Sequence, residues 1–333
     1  MSTSSSVKAR SVLSTDDLTD EEIREITSHA IDRRQSTRSG LFAALFMNRS
    51  TRTRLSLVRS CQSIGLLCVT TDGEGLRLRD GESIRDTARA FGVYADIVGI
   101  RAHFSPGGLA LGEGTQVVRE FASACSRPVV NLECDESHPC QALADIFAIR
   151  GAFGRCDGLN VAIVWANSQN SSRVPAVPME TIRVCSRLGC HVRVAHPPGY
   201  ELDATFVAEA SKRARSHGGS VEVSHELEQS VSGADIVYAR NWVSSGVANE
   251  MPDFAGQDYS EWICNSRLME CAGGNARYMH CLPVDRGFEV SDDVIDGAQS
   301  LVREQMESRV IVQSRLIELL LPNGPSVQHE LRT

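Results

Sequence analysis

The chain has 333 residues, of which 42% are hydrophobic, and its formal net charge is −8. This length predicts about two domains with buried cores, and the acidic balance argues against a nucleic-acid partner. Almost all positive charge is carried by arginine, because Lys8 and Lys212 are the only lysines. Arginine suits bidentate binding of phosphate or carboxylate, whereas Schiff-base chemistry would require a lysine.

Strands and helices alternate along the chain. A capping box formed by Thr19 and Glu22 predicts a helix that continues through Arg33. In the first half, apolar patterns predict strands over residues 41–46, 66–70, 97–100 and 129–132, and helices over 55–64, 83–91, 116–124 and 139–150. In the second half they predict strands over 160–165, 191–195, 220–223, 236–238 and 278–282, and helices over 180–188, 203–217 and 304–321. The alternation predicts an α/β fold with parallel sheets covered by helices, and residues 151–154 are a plausible domain boundary.

The cysteines and the N-terminus bear on the cellular compartment. Eleven cysteines are scattered without a Cys-x-x-Cys pair or a Cys/His cluster at zinc spacing, so we expect no metal site and no cofactor. Residues 1–10 lack the apolar segment of a signal peptide, and no apolar run approaches the roughly 20 residues of a membrane helix. We therefore expect a reduced, cytoplasmic protein without a membrane partner.

The segment 48–54, NRSTRTR, lies between a predicted buried strand and a predicted helix. Free amides at a helix N-terminus, together with the helix dipole, form a site for anions. Ser50, Thr51 and Thr53 add hydroxyl donors, and Arg52 adds a planar guanidinium. The segment therefore predicts an anion site, the alternative being a capped helix start with surface arginines.

Three further signals are weaker on their own. His138 and Gln141 begin a helix after a strand, where open α/β sheets place ligands, although a proline-started helix with a hydrogen-bonded histidine also explains them. Cys281 ends an apolar strand and can attack as a thiolate, but no neighbour in sequence is an obvious base, and an inert buried cysteine explains it better. Arg309 lies on the last predicted helix, where a solvated arginine is the default.

Together these motifs resemble the aspartate/ornithine carbamoyltransferase superfamily over nearly the whole chain. STRT at 50–53 resembles the family's carbamoyl-phosphate loop, and DTARAFG at 86–92, followed by Arg101, resembles its next segment. HPCQALAD at 138–145 is similar to the family's HPxQ helix, and HCLP at 280–283, followed by Arg286, resembles the motif of the ornithine branch. Four motifs in the family's order are far more specific than any one of them.

The resemblance implies domains and site residues. It implies a carbamoyl-phosphate domain of residues 1–148 with 304–333, the last helix packing back on it, and an acceptor domain of residues 149–303. The second domain can carry a deep knot, as in N-acyl-ornithine relatives. The implied carbamoyl-phosphate ligands are Ser50, Thr51, Arg52, Thr53, Arg101, His138, Gln141 and Arg309. The implied catalytic residues are Arg52, Thr53, His138, Arg309 and Cys281, and the implied acceptor ligands are Asn241, Ser244, Ser245, Cys281, Leu282 and Glu180.

The implied reaction moves the carbamoyl group of carbamoyl phosphate to the terminal amine of an ornithine-like diamino acid or its N-acyl derivative. It gives a ureido product and phosphate. Thr53, His138 and Arg309 would polarise the carbamoyl oxygen, and Gln141 would recognise the carbamoyl amide by hydrogen bonding. The resemblance also implies a homotrimer with shared active sites, in which the loop 72–81 reaches a neighbouring site through Arg77 or Arg79.

The acceptor half departs from the family's patterns. RVPAVP at 173–178 and VYARNW at 237–242 resemble the N-acyl-ornithine branch, whereas WVSSG at 242–246 is close to the ornithine branch. The ornithine branch's aspartate for the α-ammonium is missing from segment 239–241, ARN. Met179 and Glu180 replace an asparagine–serine pair, Ser314 replaces a lysine, and loop 72–81 has no aromatic residue.

These departures predict an unusual acceptor. We expect it to keep a free terminal amine but to differ from ornithine in length or in substitution of the α-nitrogen. N-acetylornithine is the first candidate, and a diamino acid of specialised metabolism is the second.

Two other functions are alternatives to carbamoyl transfer. A catalytically silent paralogue that binds an anion and regulates fits the altered acceptor segments, but the intact phosphate motifs argue against it. A dinucleotide-binding dehydrogenase has no support, because no Gly-x-Gly-x-x-Gly follows a predicted strand.

Overall fold

The structure, a computed structural model, describes residues 9–30, 39–169, 173–244 and 258–321. Within these ranges the strands form two parallel sheets, one in each half of the chain. The α/β architecture expected from the alternating pattern is therefore confirmed. The deep knot expected in the second half remains a prediction.

The first sheet has four parallel strands in the order β2-β1-β3-β4. The strands are β1 Leu41–Phe46, β2 Leu67–Asp72, β3 Ile97–Arg101 and β4 Val129–Glu133. The helices of this half are α1 Asp20–Ile26, α2 Arg52–Ser63, α3 Ile84–Tyr94, α4 Glu113–Ala124 and α5 Pro139–Phe153. The strands β3 and β4 are almost wholly buried, as expected of parallel strands covered by helices on both faces.

The second sheet has five parallel strands in the order β7-β6-β5-β8-β9. The strands are β5 Asn160–Trp165, β6 His191–Ala195, β7 Ser220–Ser224, β8 Ile236–Arg240 and β9 Arg277–Met279. The helices are α6 Ala176–Arg187, α7 Ala204–Ser216, α8 Leu227–Val231, α9 Ser266–Ala272, α10 Asp292–Ile295 and α11 Val302–Leu320. In both sheets the chain order reverses beside the first strand, so the ligand crevice is expected at the carboxyl ends of β1 and β3, and of β5 and β8.

The long helix α11 returns to the first half and packs against α2 and α5. The hydroxyl of Ser60 on α2 donates to the carbonyl of Val310 at 3.0 Å, and the Ser63 and Ser314 hydroxyls lie 2.9 Å apart. Gln305 Nε2 donates to Asp145 Oδ1 on α5 at 2.7 Å. These polar contacts between buried faces set the position of α11 and therefore of Arg309.

Two elements end earlier than the sequence predicts. The first helix ends at Ile26 rather than at Arg33, because the Thr27 hydroxyl, Arg150 and Arg315 bond to the last carbonyls of the helix. The strand expected over 278–282 ends at Met279, because Leu282 donates its N–H to His280 Nδ1 at 2.8 Å and has φ of 57°. A backbone in the left-handed region cannot continue a strand.

Candidate active site

A cavity of about 360 Å³ opens between the carboxyl ends of the two sheets. The first half contributes the loop after β1, the ends of β3 and β4, and the start of α5. The second half contributes the segment before α6, the end of β8 and the segment after β9, while α11 adds Arg309. Among the described residues that line this cavity, six are arginines and Glu133 is the one acid, so the cavity suits anions. The arginines are Arg49, Arg52, Arg101, Arg173, Arg240 and Arg309.

The loop before α2 carries the predicted anion ligands. Ser50, Thr51, Arg52 and Thr53 all line the cavity, and the Thr51 side chain makes no capping hydrogen bond to the helix. Asn48 ties the loop to the segment after β3, with Nδ2 donating to the His103 carbonyl at 2.9 Å and Oδ1 accepting from the His103 N–H at 2.8 Å. Open backbone donors at a helix N-terminus beside an arginine form a phosphate site.

The predicted carbamoyl ligands from three distant segments meet at Arg309. Arg309 Nη2 donates to Thr53 Oγ1 at 2.9 Å, and Nη1 donates to Gln141 Oε1 at 2.5 Å. Gln141 Nε2 in turn donates to Asp145 Oδ1 at 2.7 Å, which sets the orientation of the amide. The structure thus places a fully buried guanidinium, a hydroxyl and an amide around one point of the cavity.

His138 lies beside this group and is neutral. Burial lowers its pKa well below the ordinary value and outweighs the opposing effect of Glu133. Its Nδ1 is buried and without a hydrogen-bond partner in the described structure. A neutral imidazole with a free ring nitrogen can still donate one hydrogen bond to an oxygen placed in the cavity.

Glu133, which sequence reasoning missed, is the acidic residue of the cavity. Its carboxylate accepts from Arg101 Nη1 and lies 3.6 Å from His138 Nε2. Burial would raise its pKa, but the positive charges of the neighbouring arginines, above all Arg101, outweigh burial and lower it. Arg101, the predicted phosphate ligand, is therefore paired with an acid. The sequence feature that could have identified Glu133 is its position as an acidic residue at the carboxyl end of a buried strand.

The predicted acceptor residues are only partly brought together. Cys281 and Leu282 line the cavity. Asn241 is buried behind it, with Nδ2 donating to the Ala166 carbonyl at 2.8 Å, and the Ser244 hydroxyl donates to the Glu201 carbonyl at 3.3 Å. Ser245 lies outside the described residues.

Glu180 points away from the cavity lining. It is fully buried, accepts from the Thr15 N–H at 2.6 Å and pairs with Arg183 at 2.5 Å. One carboxylate oxygen joins α6 to the N-terminal segment at Thr15, and the other pairs with Arg183 on α6 itself. This geometry supports a role in stability, and Glu180 is not among the residues that line the cavity.

Glu180→Ala is expected to destabilise the fold without changing acceptor use. Removing one member of a buried ion pair costs about 3 kcal/mol, because Arg183 and the Thr15 N–H lose their partner. Urea unfolding should report this loss, while the KM for the acceptor stays within about twofold of the starting protein. A large rise in acceptor KM with unchanged stability would return Glu180 to the acceptor site.

Cys281 is a poor candidate nucleophile. Burial raises the pKa of its thiol, and the nearby Arg240 only partly offsets this. Its Sγ accepts a hydrogen bond from Arg240 Nη1 at 2.6 Å. The thiol is therefore protonated near neutral pH, where the thiolate is needed for attack.

Cys281→Ser should keep activity within about tenfold of the starting enzyme, because serine preserves the acceptor for the Arg240 hydrogen bond. Steady-state kinetics would measure the change, and mass spectrometry of the quenched wild-type enzyme would search for a carbamoyl group on Cys281. Detection of a carbamoyl-thioester would contradict direct attack of the acceptor amine on carbamoyl phosphate.

The loop 72–81 folds as two short 3-10 turns, Gly73–Gly75 and Arg77–Asp80, on the outside of the chain. Arg77 is exposed and lies 3.5 Å from Asp80, and the side chain of Arg79 is outside the described structure. None of these residues lines the cavity. Within one chain, then, the described loop does not complete the site.

The described residues offer neither a metal-binding cluster nor a membrane-spanning helix. They contain no group of three or more His, Cys, Asp or Glu side chains able to hold a metal ion. None of the described helices combines the length and apolar composition needed to cross a bilayer.

Comparison with known proteins agrees with this geometry. The family model described as the aspartate/ornithine carbamoyltransferase carbamoyl-P binding domain matches residues 10–151, and the Asp/Orn binding domain model of the same family matches residues 157–320.

Similar sequences and structures carry related names. The ornithine carbamoyltransferase of Ignicoccus hospitalis is 32% identical, covering 95% of this chain and 99% of its own length. Ornithine carbamoyltransferase from Pyrococcus furiosus superposes with a TM-score of 0.80 at 31% identity, over 95% of this chain and 98% of that chain. A structure of N-acetyl-L-ornithine transcarbamylase superposes with a TM-score of 0.83 at 27% identity, over 93% and 99%.

Proposed function

The chain belongs to the aspartate/ornithine carbamoyltransferase family, and on that premise we propose that it transfers the carbamoyl group of carbamoyl phosphate to the terminal amine of an ornithine-like amino acid. The observation that carries this proposal is the contact of Arg309 with both Thr53 and Gln141 beside the arginine-rich loop. That arrangement can bind a phosphate and an adjacent carbonyl oxygen at the same time.

The phosphate is assigned to the start of α2. The backbone amides of the loop, the hydroxyls of Ser50, Thr51 and Thr53, and the guanidinium of Arg52 surround the place where a dianion would lie. Burial lowers the pKa of Arg52, and the nearby Arg101 and Arg240 act in the same direction. A bound phosphate would relieve the repulsion among these cations.

The carbonyl oxygen of the substrate is assigned to Arg309, Thr53 and His138. As the amine attacks, this oxygen gains negative charge, and donors already placed for it each lower the barrier by about 3 kcal/mol. The new C–N bond forms while the C–O bond to phosphate breaks. The departing phosphate takes the proton from the attacking nitrogen, so no side-chain base or nucleophile is required, and positioning of the two substrates supplies much of the remaining rate.

The proposal is tested by product formation. Purified enzyme is supplied with carbamoyl phosphate and a panel of diamino acids and their N-acyl forms, and ureido product and phosphate are measured together. Enzyme-dependent release of equal amounts of both supports carbamoyl transfer. Binding of carbamoyl phosphate without a ureido product from any amine would overturn it in favour of a silent anion-binding protein.

We further propose that the enzyme works as a homotrimer with shared active sites. The loop 72–81 supports this proposal, because it contributes no residue to the cavity of its own chain. The two domains would be residues 1–148 with 304–333, and 149–303, consistent with the packing of α11 on α2 and α5. The free state of all eleven cysteines supports a reducing compartment such as the cytoplasm.

The shared site predicts complementation between variants. An Arg52→Ala chain and a chain carrying Arg77→Ala with Arg79→Ala should each be inactive alone. Mixed trimers should regain activity, since some sites combine an intact Arg52 with an intact loop from the neighbour. A monomer that is fully active by sedimentation and assay would contradict both the trimer and the shared site.

A further inference from the structure

His103 is a cavity residue to which the reaction proposed above assigns no role. It lies just beyond β3, two residues after Arg101, and lines the cavity with it. Its ring contacts two groups of fixed hydrogen-bonding character. Nδ1 lies 2.7 Å from the Phe104 carbonyl oxygen, and Nε2 lies 3.1 Å from Arg101 Nη2. These two contacts determine where the ring carries its proton.

The two partners of the His103 ring allow one tautomer. A carbonyl oxygen can only accept, so Nδ1 carries the hydrogen and donates it to Phe104. A guanidinium can only donate, so Nε2 carries no hydrogen and accepts from Arg101. Burial lowers the pKa of His103 and, together with the charge of Arg101, outweighs the opposing effect of Glu133. His103 is therefore a neutral acceptor for Arg101 near neutral pH.

The backbone of His103 is held by the segment that leads into the proposed phosphate loop. Asn48 accepts from the His103 N–H at 2.8 Å and donates to the His103 carbonyl at 2.9 Å. The N–H of Phe104, the next residue, donates to Asp135 Oδ1 at 2.5 Å. The imidazole is thus a fixed support, and it ties the direction of Arg101 to the loop at the start of α2.

Arg101 lies between two acceptors that use different nitrogens of its guanidinium. Nη1 donates to Glu133, and Nη2 donates to His103. With Glu133 alone the guanidinium could turn about a single contact, whereas the second acceptor fixes its plane. Each Nη has a second N–H that neither acceptor uses, and bidentate binding of a phosphate requires such a pair.

We propose that His103 is a positioning residue for carbamoyl phosphate: its neutral ring accepts from Arg101 and directs that guanidinium at the phosphate. The inference rests on the proposed carbamoyl transfer and adds a residue to its phosphate site. His103 acts through Arg101 and needs no contact of its own with the substrate. Its removal should therefore weaken binding of carbamoyl phosphate more than it slows the chemical step.

Protonation of His103 is expected to weaken the same site. The charged and titratable groups around the ring are Arg101 at the end of β3, Glu133 at the end of β4, Asp135 after it and, beyond Glu133, the neutral His138. A protonated ring offers Arg101 no acceptor and places a second positive charge beside it. Because the pKa of His103 lies below its ordinary value of about 6.5, affinity for carbamoyl phosphate should decline below that pH as the ring gains its proton.

Calorimetry with carbamoyl phosphate, and with inorganic phosphate as a stable second probe, tests this role. His103→Ala removes the acceptor and should weaken binding about fivefold or more, while kcat and the acceptor KM at saturating carbamoyl phosphate stay within about twofold. His103→Gln should regain most of the affinity, because its amide oxygen can accept from Arg101. The glutamine variant should also lack the additional decline that the wild-type protein shows on acidification. In an Arg101→Ala background, His103→Ala should weaken binding no further, because the two residues act as one unit.

His225→Gln is the matched control. His225 also has Nδ1 at 2.8 Å from a backbone carbonyl, that of His196, but it is not among the residues that line the cavity and should bind carbamoyl phosphate like the wild type. Unchanged affinity in His103→Ala, equal losses in the alanine and glutamine variants, or a further loss in the Arg101→Ala background would each overturn the proposal. So would wild-type affinity that rises relative to His103→Gln on acidification. Wild-type protein that binds no carbamoyl phosphate would reject the proposed function itself.

Discussion

Arg309→Lys is expected to lower kcat by about 10²–10³-fold while the protein stays folded. Arg309 is 3% exposed and reaches Thr53 and Gln141 with two different nitrogens. Lysine keeps the charge but has one nitrogen on a flexible stem and cannot span both contacts. The loss of one placed donor to the developing oxyanion corresponds to about 3–4 kcal/mol of barrier.

Single-turnover measurements at saturating substrates would isolate this effect on the chemical step. Arg303→Lys is the control, because Arg303 lies on the same helix but is exposed and pairs with Glu307. Equal rates for the Arg309 and Arg303 variants would mean that Arg309 holds α11 in place and does not act on the substrate.

Arg52→Ala is expected to abolish practical turnover through loss of carbamoyl phosphate. Arg52 sits in the first turn of α2 on the cavity wall and has no side-chain hydrogen bond to other described residues. Its guanidinium is therefore available for the phosphate, and a charged hydrogen bond contributes about 1.5–3 kcal/mol. We expect calorimetry to show carbamoyl phosphate binding at least tenfold weaker, and up to about a hundredfold.

Arg59→Ala provides the matched control for this measurement. Arg59 lies on the same helix, is exposed and donates to Gln62 at 2.9 Å. The control should bind carbamoyl phosphate like the starting protein, and inorganic phosphate should follow the same order of affinities. Unchanged affinity in the Arg52 variant would move the anion site to another part of the cavity.

Local patterns were enough to locate most strands and helices. The strand Asn160–Trp165 has the predicted bounds, and the capping box at Thr19 opens α1 as expected. These features depend on neighbours within a few residues, through hydrophobic periodicity and side chains that satisfy the first amides of a helix. Helix ends were less accurate, because the end of α1 depends on Arg150 and Arg315, which are distant in sequence.

By itself the sequence determined the two-part α/β fold, the arginine-rich loop at the start of α2 and the family resemblance, because each rests on short contiguous patterns. Only the tertiary structure decided which side chains meet. In the folded chain Arg309 contacts Thr53, which lies 256 residues earlier. Glu133 pairs with Arg101, and Glu180 is buried against Thr15. The physical reason is that the charge state and availability of a side chain depend on its spatial neighbours and its distance from water, which the packing of α11 and of the two sheets creates.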